Sequence, residues 1–99
     1  MSVLGKRLKE ARLRKDLSQE KLGVLAGIDE MSASARMNQY ERGKHAPDWL
    51  TVERLAVVLD VPVAYFYAVE DEVADLLVRF HALSLEGRAA LIKHLDGLS

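Results

Sequence analysis

Apolar residues recur at three- and four-residue intervals almost from the first position of the chain. Leu4, Leu8 and Ala11 fall on one side of a helix, with Lys6, Arg7, Lys9, Arg12 and Arg14 around the rest of its circumference. This spacing predicts an amphipathic first helix ending near Lys15-Asp16, with its basic residues mostly solvated. Ser18 is a good N-cap, Gln19 and Glu20 fill a first turn, and Leu22, Leu25 and Ala26 give a second helix its apolar face. Gly27 stops that helix, because glycine takes a left-handed backbone without steric cost.

The next segment, from about Ser32 to Arg42, carries the most informative pattern. At about 100° per residue, Ala33, Met37 and Tyr40 fall together on one side. Ala35, Gln39 and Arg42 lie opposite, flanked by Met31, Ser32 and Asn38, so the outer face holds hydrogen-bonding groups and few large apolar ones. Gly43 ends this third helix, and Lys44-His45-Ala46-Pro47 forms a basic loop. Asp48 can cap a fourth helix with Val52, Leu55, Ala56 and Leu59 inward, and Pro62 opens a short fifth helix containing Tyr65, Phe66 and Tyr67. After Ala68, the acidic run Glu70-Asp71-Glu72 favours the start of a sixth helix with Val73, Leu76, Leu77 and Phe80 along one side. Ser84 can cap a last helix bearing Ala89, Leu91, Ile92, Leu95 and Leu98. No strand alternation survives, and the reading is all-α.

Composition narrows the class further. With 49% hydrophobic and 29% charged residues the chain reads as globular, and no apolar run nears the roughly 20 residues that span a bilayer. The N-terminus lacks an apolar secretory core, and the absence of cysteine removes disulfides, thiolate nucleophiles and thiolate metal sites; a cytoplasmic address is expected. The net charge of −1 conceals an asymmetry: residues 1–54 carry a net of +3 and residues 55–99 a net of −4. His45, His81 and His94 lack metal-ligand spacing, and the carboxylate pairs Asp29-Glu30 and Glu70-Asp71-Glu72 have no nucleophile, metal site or glycine-rich phosphate loop beside them. No enzyme mechanism, metal or cofactor is expected.

Three stretches in one order point to a family: Leu17-Ser18-Gln19-Glu20-Lys21-Leu22, then Gln39-Tyr40-Glu41-Arg42-Gly43-Lys44 with Pro47, then Leu55 to Pro62. From Leu4 to Ala68 the sequence resembles the Cro-like phage-repressor, or XRE, helix-turn-helix family. The resemblance implies a five-helix lambda-repressor-like DNA-binding domain over residues 1–68; the two short helices over 69–99 exceed what that domain needs, and their apolar stripes either complete the core or form a self-complementary interface, with dimerisation the expected role. It also implies that the third helix enters the major groove of double-stranded DNA. By the same resemblance Gln19 bonds a phosphate, Ser34, Ala35 and Gln39 face base edges, and Arg36, Arg42 and Lys44 touch the DNA backbone. Arg12 and Glu41 match a partly buried ion pair that ties the first helix to the third, and Tyr65, Phe66 and Tyr67 fall where the family packs its fifth helix against the core. The amides of Asn38 and Gln39 suit adenine edges.

Two departures from the family pattern stand out. The stretch Ile28 to Ala35 is about four residues longer than usual, close to one helical turn, which makes Ser32 a further candidate for base contact. Asp60 replaces the usual glycine at the end of the fourth helix, a position that aspartate tolerates at modest cost. The expected function is a homodimeric transcriptional repressor. An antitoxin that binds both an operator and a toxin, or an interaction module that has lost DNA binding, are the alternatives left open.

Overall fold

The computed structural model describes residues 2–99. Among them the chain forms six α-helices, α1 (Val3–Arg14), α2 (Gln19–Leu25), α3 (Glu30–Glu41), α4 (Trp49–Leu59), α5 (Asp71–Ala82) and α6 (Leu85–Asp96), with a 3-10 segment at Val63–Tyr67 between α4 and α5 and no strand. Capping residues set the starts. The hydroxyls of Ser2, Ser18 and Ser84 accept from the amides of Gly5, Lys21 and Gly87, and the Asp48 carboxylate accepts from Thr51 at 2.9 Å. That contact and the Thr51 side chain hold the Asp48 carboxyl below its usual range.

Four helices end in one way. Asp16, Gly27, Gly43 and Asp60 adopt positive φ (56°, 90°, 75° and 55°), and the amide one residue further on reaches back to a carbonyl of the last turn, as in Leu17 to Arg12 and Lys44 to Gln39. The left-handed backbone expected at Asp60 is therefore present.

Leu8, Leu22, Met37, Val52, Leu55, Leu59, Tyr65 and Phe66 fill one buried cluster beneath α1 to α4 and the 3-10 segment. Several local expectations need correction. The fifth helix is a 3-10 segment, set by the Tyr65-to-Pro62 bond, because five residues between a proline and an extended Ala68 are too few to establish α-type bonding. Tyr67 is 53% exposed and belongs to the surface, unlike its two aromatic neighbours.

Arg7, grouped with solvated basic residues from its sequence, is 1% exposed. Its guanidinium donates to the Ala68 carbonyl (2.8 Å), the Val69 carbonyl (3.1 Å), Glu10 (3.0 Å) and Asp71 (3.0 Å). Burial opposes its charge, but the two carboxylates prevail and hold Arg7 above its ordinary value. The same Asp71 carboxylate accepts from Lys6 at 2.9 Å; that bond and the one from Arg7 hold it below the usual carboxylate range. The expected domain limit between residues 68 and 69 thus runs through the acceptors of one side chain.

Beyond that junction the chain departs from the core. α5 rests on it through Ala74, Leu77 and Val78, while Val73 and Leu76, on the apolar stripe legible in the sequence, are 41% and 53% exposed. His81 lies 3.3 Å from Asp60 at the far end of α5. α6 has no buried residue, and it is fixed to α5 through Arg88, which donates to the carbonyls of Phe80 and His81 and lies over the Phe80 ring. The two helices form an arm on a molecule extending 51 × 25 × 23 Å.

Candidate nucleic-acid interface

α2 and α3 are held in close register by a small-residue contact. A Cβ placed on Gly23 of α2 would lie 2.7 Å from the Ala33 Cβ, far inside van der Waals contact, so only glycine lets these helices approach so closely. Gly5 plays a similar part between α1 and α3, where an added Cβ would strike the Glu41 carbonyl. Neither glycine has positive φ, so nothing in the backbone rules flags them; the signal is a glycine within a helical period, opposed by a small or backbone surface.

The connection between α2 and α3 is Ala26–Asp29, and α3 begins at Glu30, two residues before the expected start at Ser32. Asp29 is the cap, accepting from the Met31 amide at 3.1 Å. The additional residues are therefore helical: they lengthen α3 at its N-terminus rather than the turn before it.

With Ala33, Met37, Tyr40 and Glu41 buried, the opposite side of α3 faces solvent. Ala35, Gln39 and Arg42 follow one another along its middle, all exposed, with Arg36 on one flank and Asn38 on the other; Ser32 is half-buried near the N-terminal end. Ser34 is exposed but stands about 140° around the helix from Gln39, apart from the main stripe. Lys44 is exposed just past Gly43, and His45 and Ala46 form a shallow polar recess with Arg36 and Gln39.

On the other flank Lys9, Arg12, Gln19, Asn38, Glu41 and Arg42 surround a second recess. Arg12 binds Glu41 through two nitrogens, Nε at 2.6 Å and Nη2 at 3.1 Å, and gives Nη1 to the Leu17 carbonyl at 2.9 Å. Side-chain exposures of 11% and 5% make this a buried pair between α1 and α3, as the motif suggested. Glu41 also accepts from the Gln19 amide at 3.2 Å, and the same amide reaches Asn38 at a longer 3.4 Å. The buried pair therefore orients Gln19, whose weaker bond to Asn38 is the one an incoming acceptor would displace. Lys9, not singled out in the sequence, brings another cation to this recess.

The arrangement is an exposed polar helix held on a shorter one by small residues, with Arg36, Arg42, Lys44 and Lys9 around it. The helix-turn-helix domain family matches residues 3–65, from α1 into the 3-10 segment. The chain belongs to the helix-turn-helix domain family. Among solved structures, the helix-turn-helix chain is similar to the crystal structure of transcriptional regulator BswR, at 50% identity and a TM-score of 0.89, covering 94% of this chain and 92% of that one. The likeness thus includes the arm as well as the helix-turn-helix. A search of curated proteins gives no match. No helix of the described residues is long and apolar enough to cross a membrane.

Proposed function

We propose that the chain is a sequence-specific DNA-binding transcriptional regulator, a dimeric repressor that acts in the cytoplasm by occupying its operator. The observation that carries this reading is the two-sidedness of α3: a buried apolar face packed on α2 and an outer stripe of Ala35, Gln39 and Arg42 with cations on both sides. A helix presented in this way fits the major groove, where side-chain amides bond base edges. Gln39, Ala35 and Ser32 face the bases, with Asn38 and Ser34 nearer the flank; Gln19, Arg36, Arg42 and Lys44 contact phosphates, which fix register without carrying sequence information. The relation to a transcriptional regulator at 50% identity, spanning nearly the whole chain, supports the regulatory role.

The arm supplies the dimer. Val73, Leu76, Leu83, Ile92, Leu95 and Leu98 are between 39% and 69% exposed on α5, its connection to α6, α6 and the residues just after it, a concentration of apolar surface suited to a symmetric partner. Two copies joined there present two recognition helices to two half-sites.

One set of variants tests both parts. Gln39→Ala is expected to cost about 1–3 kcal/mol on the operator and to flatten preference at one base pair per half-site. Lys44→Ala weakens operator and random duplex alike and lowers the salt slope by about one per subunit. Leu95→Asp leaves the helical content intact but gives a monomer in sedimentation equilibrium. Unchanged base preference in Gln39→Ala would refute the reading surface, and an unchanged dimer in Leu95→Asp would refute the interface.

A further inference from the structure

The lengthening of α3 at its N-terminus places a side chain that the DNA-binding motif does not account for. Met31 is 92% exposed, more than any other large hydrophobic residue described. It sits in the first turn of α3, four residues before Ala35 and eight before Gln39, hence on the outer stripe and not the packed face. Its backbone is fixed, because its amide is the one that Asp29 caps at 3.1 Å. No core position, salt bridge or hydrogen bond uses its side chain. An unbranched thioether held at the leading end of a helix is an adaptable apolar probe.

Resting on the DNA-binding reading above, we propose that Met31 is a specificity-determining residue that packs against the C5-methyl group of a thymine in the major groove. The N-terminal part of a recognition helix is the part that reaches base edges. The thymine methyl is the apolar group on the groove floor, and apolar side chains read it. The alternative surface at that end, the phosphate strand, is disfavoured by the adjacent carboxylates of Asp29 and Glu30, which carry the wrong charge for it. Met31 therefore adds to the site one base pair, read by shape and hydrophobicity, beyond those read by Gln39 and Ala35.

The test uses the full chain and an operator enriched by the wild-type protein from a random duplex library. Each thymine of a half-site is replaced in turn by deoxyuracil, which removes only the methyl group. Wild type is expected to lose about four-fold in affinity at the thymine beneath Met31, the effect of one buried methyl. Met31→Ala is expected to bind the thymine and deoxyuracil duplexes equally at that position while retaining the penalty at any thymine read by Ala35. A fully exposed side chain makes this substitution safe for folding, and circular dichroism verifies it. If Met31→Ala keeps every deoxyuracil penalty of the wild type, or the wild type shows none, the assignment is overturned while DNA binding stands. If the wild type enriches no duplex, both the assignment and the DNA-binding reading fall.

Discussion

Removing the Glu41 carboxylate should be among the most damaging single changes in the reading half of the molecule. Glu41 accepts two hydrogen bonds from the Arg12 guanidinium, the shorter at 2.6 Å, and one from Gln19 at 3.2 Å, with only 5% of its side chain exposed. Glu41→Gln keeps the shape and one acceptor oxygen but removes the charge that compensates Arg12, itself 11% exposed, and sets an NH2 donor where a carboxylate oxygen accepted. Breaking a buried pair in this way costs about 3–5 kcal/mol, mostly for the uncompensated charge. For a domain of about 100 residues each kcal/mol moves the melting temperature by about 4–8 °C, so a fall of at least about 12 °C is expected. Glu20→Ala, on the exposed first turn of α2, gives up only a helix-dipole contribution of about 0.3–1 kcal/mol. Replacing both partners, as Arg12→Met with Glu41→Leu, should recover much of the loss, since two apolar groups leave no buried charge behind. The assay is thermal unfolding of the single and double variants, read as a double-mutant cycle. Equal melting temperatures for Glu41→Gln and Glu20→Ala, or strictly additive losses in the cycle, would refute a buried, coupled pair.

Two further outcomes follow from the geometry. Gly23→Val should destabilise the fold and abolish tight DNA binding, because α2 would have to retreat from Ala33; overpacking of this kind costs about 1–3 kcal/mol, and undiminished affinity and melting temperature would contradict the close approach. Asp71 has a carboxyl held below its ordinary value of 3.8 by Lys6 and Arg7, so its stabilising contribution is complete above that value and disappears as pH falls through the lowered one. Melting curves of wild type and Asp71→Asn should therefore converge as the solution is acidified below pH 3.8, with wild type the more stable above it; a gap independent of pH would contradict the clamp.

Much of the helix-turn-helix was legible because local chemistry and burial pattern agreed there. Ser18, Gly27, Gly43 and Asp48 sit at helix ends, and Ala33, Met37 and Tyr40 at core spacing, so each could be read from its neighbours alone. The start of α3 was misplaced because Ser32 and Asp29 are both capping types, and the choice depends on which one stands where the chain leaves the Gly27 turn. Arg7 is the harder case because its charge argues against its position: it lies three residues after Leu4 and four before Ala11, on the buried side, where Glu10 on its own helix is joined by acceptors more than sixty residues away that spacing does not reveal. Spacing alone does not say which side of α5 packs on the core. Val73–Leu76–Phe80 and Ala74–Leu77–Val78 are both helical rows, and the smaller one packs because Ala74 permits closer approach to the core.

The Arg7 junction also orders events in time. Its acceptors at Ala68, Val69 and Asp71 are made some sixty residues after it, so a chain still emerging from synthesis has only Glu10, on the same helix, to pair this guanidinium. With that one partner its burial is costly, and the seat of α1 is complete only with the first turn of α5 in place. The reading surface is thus completed by the segment that begins the arm. On the DNA-binding reading proposed above, a fragment ending before Asp71 lacks both this clamp and the arm, and is expected to hold DNA less firmly than the whole chain.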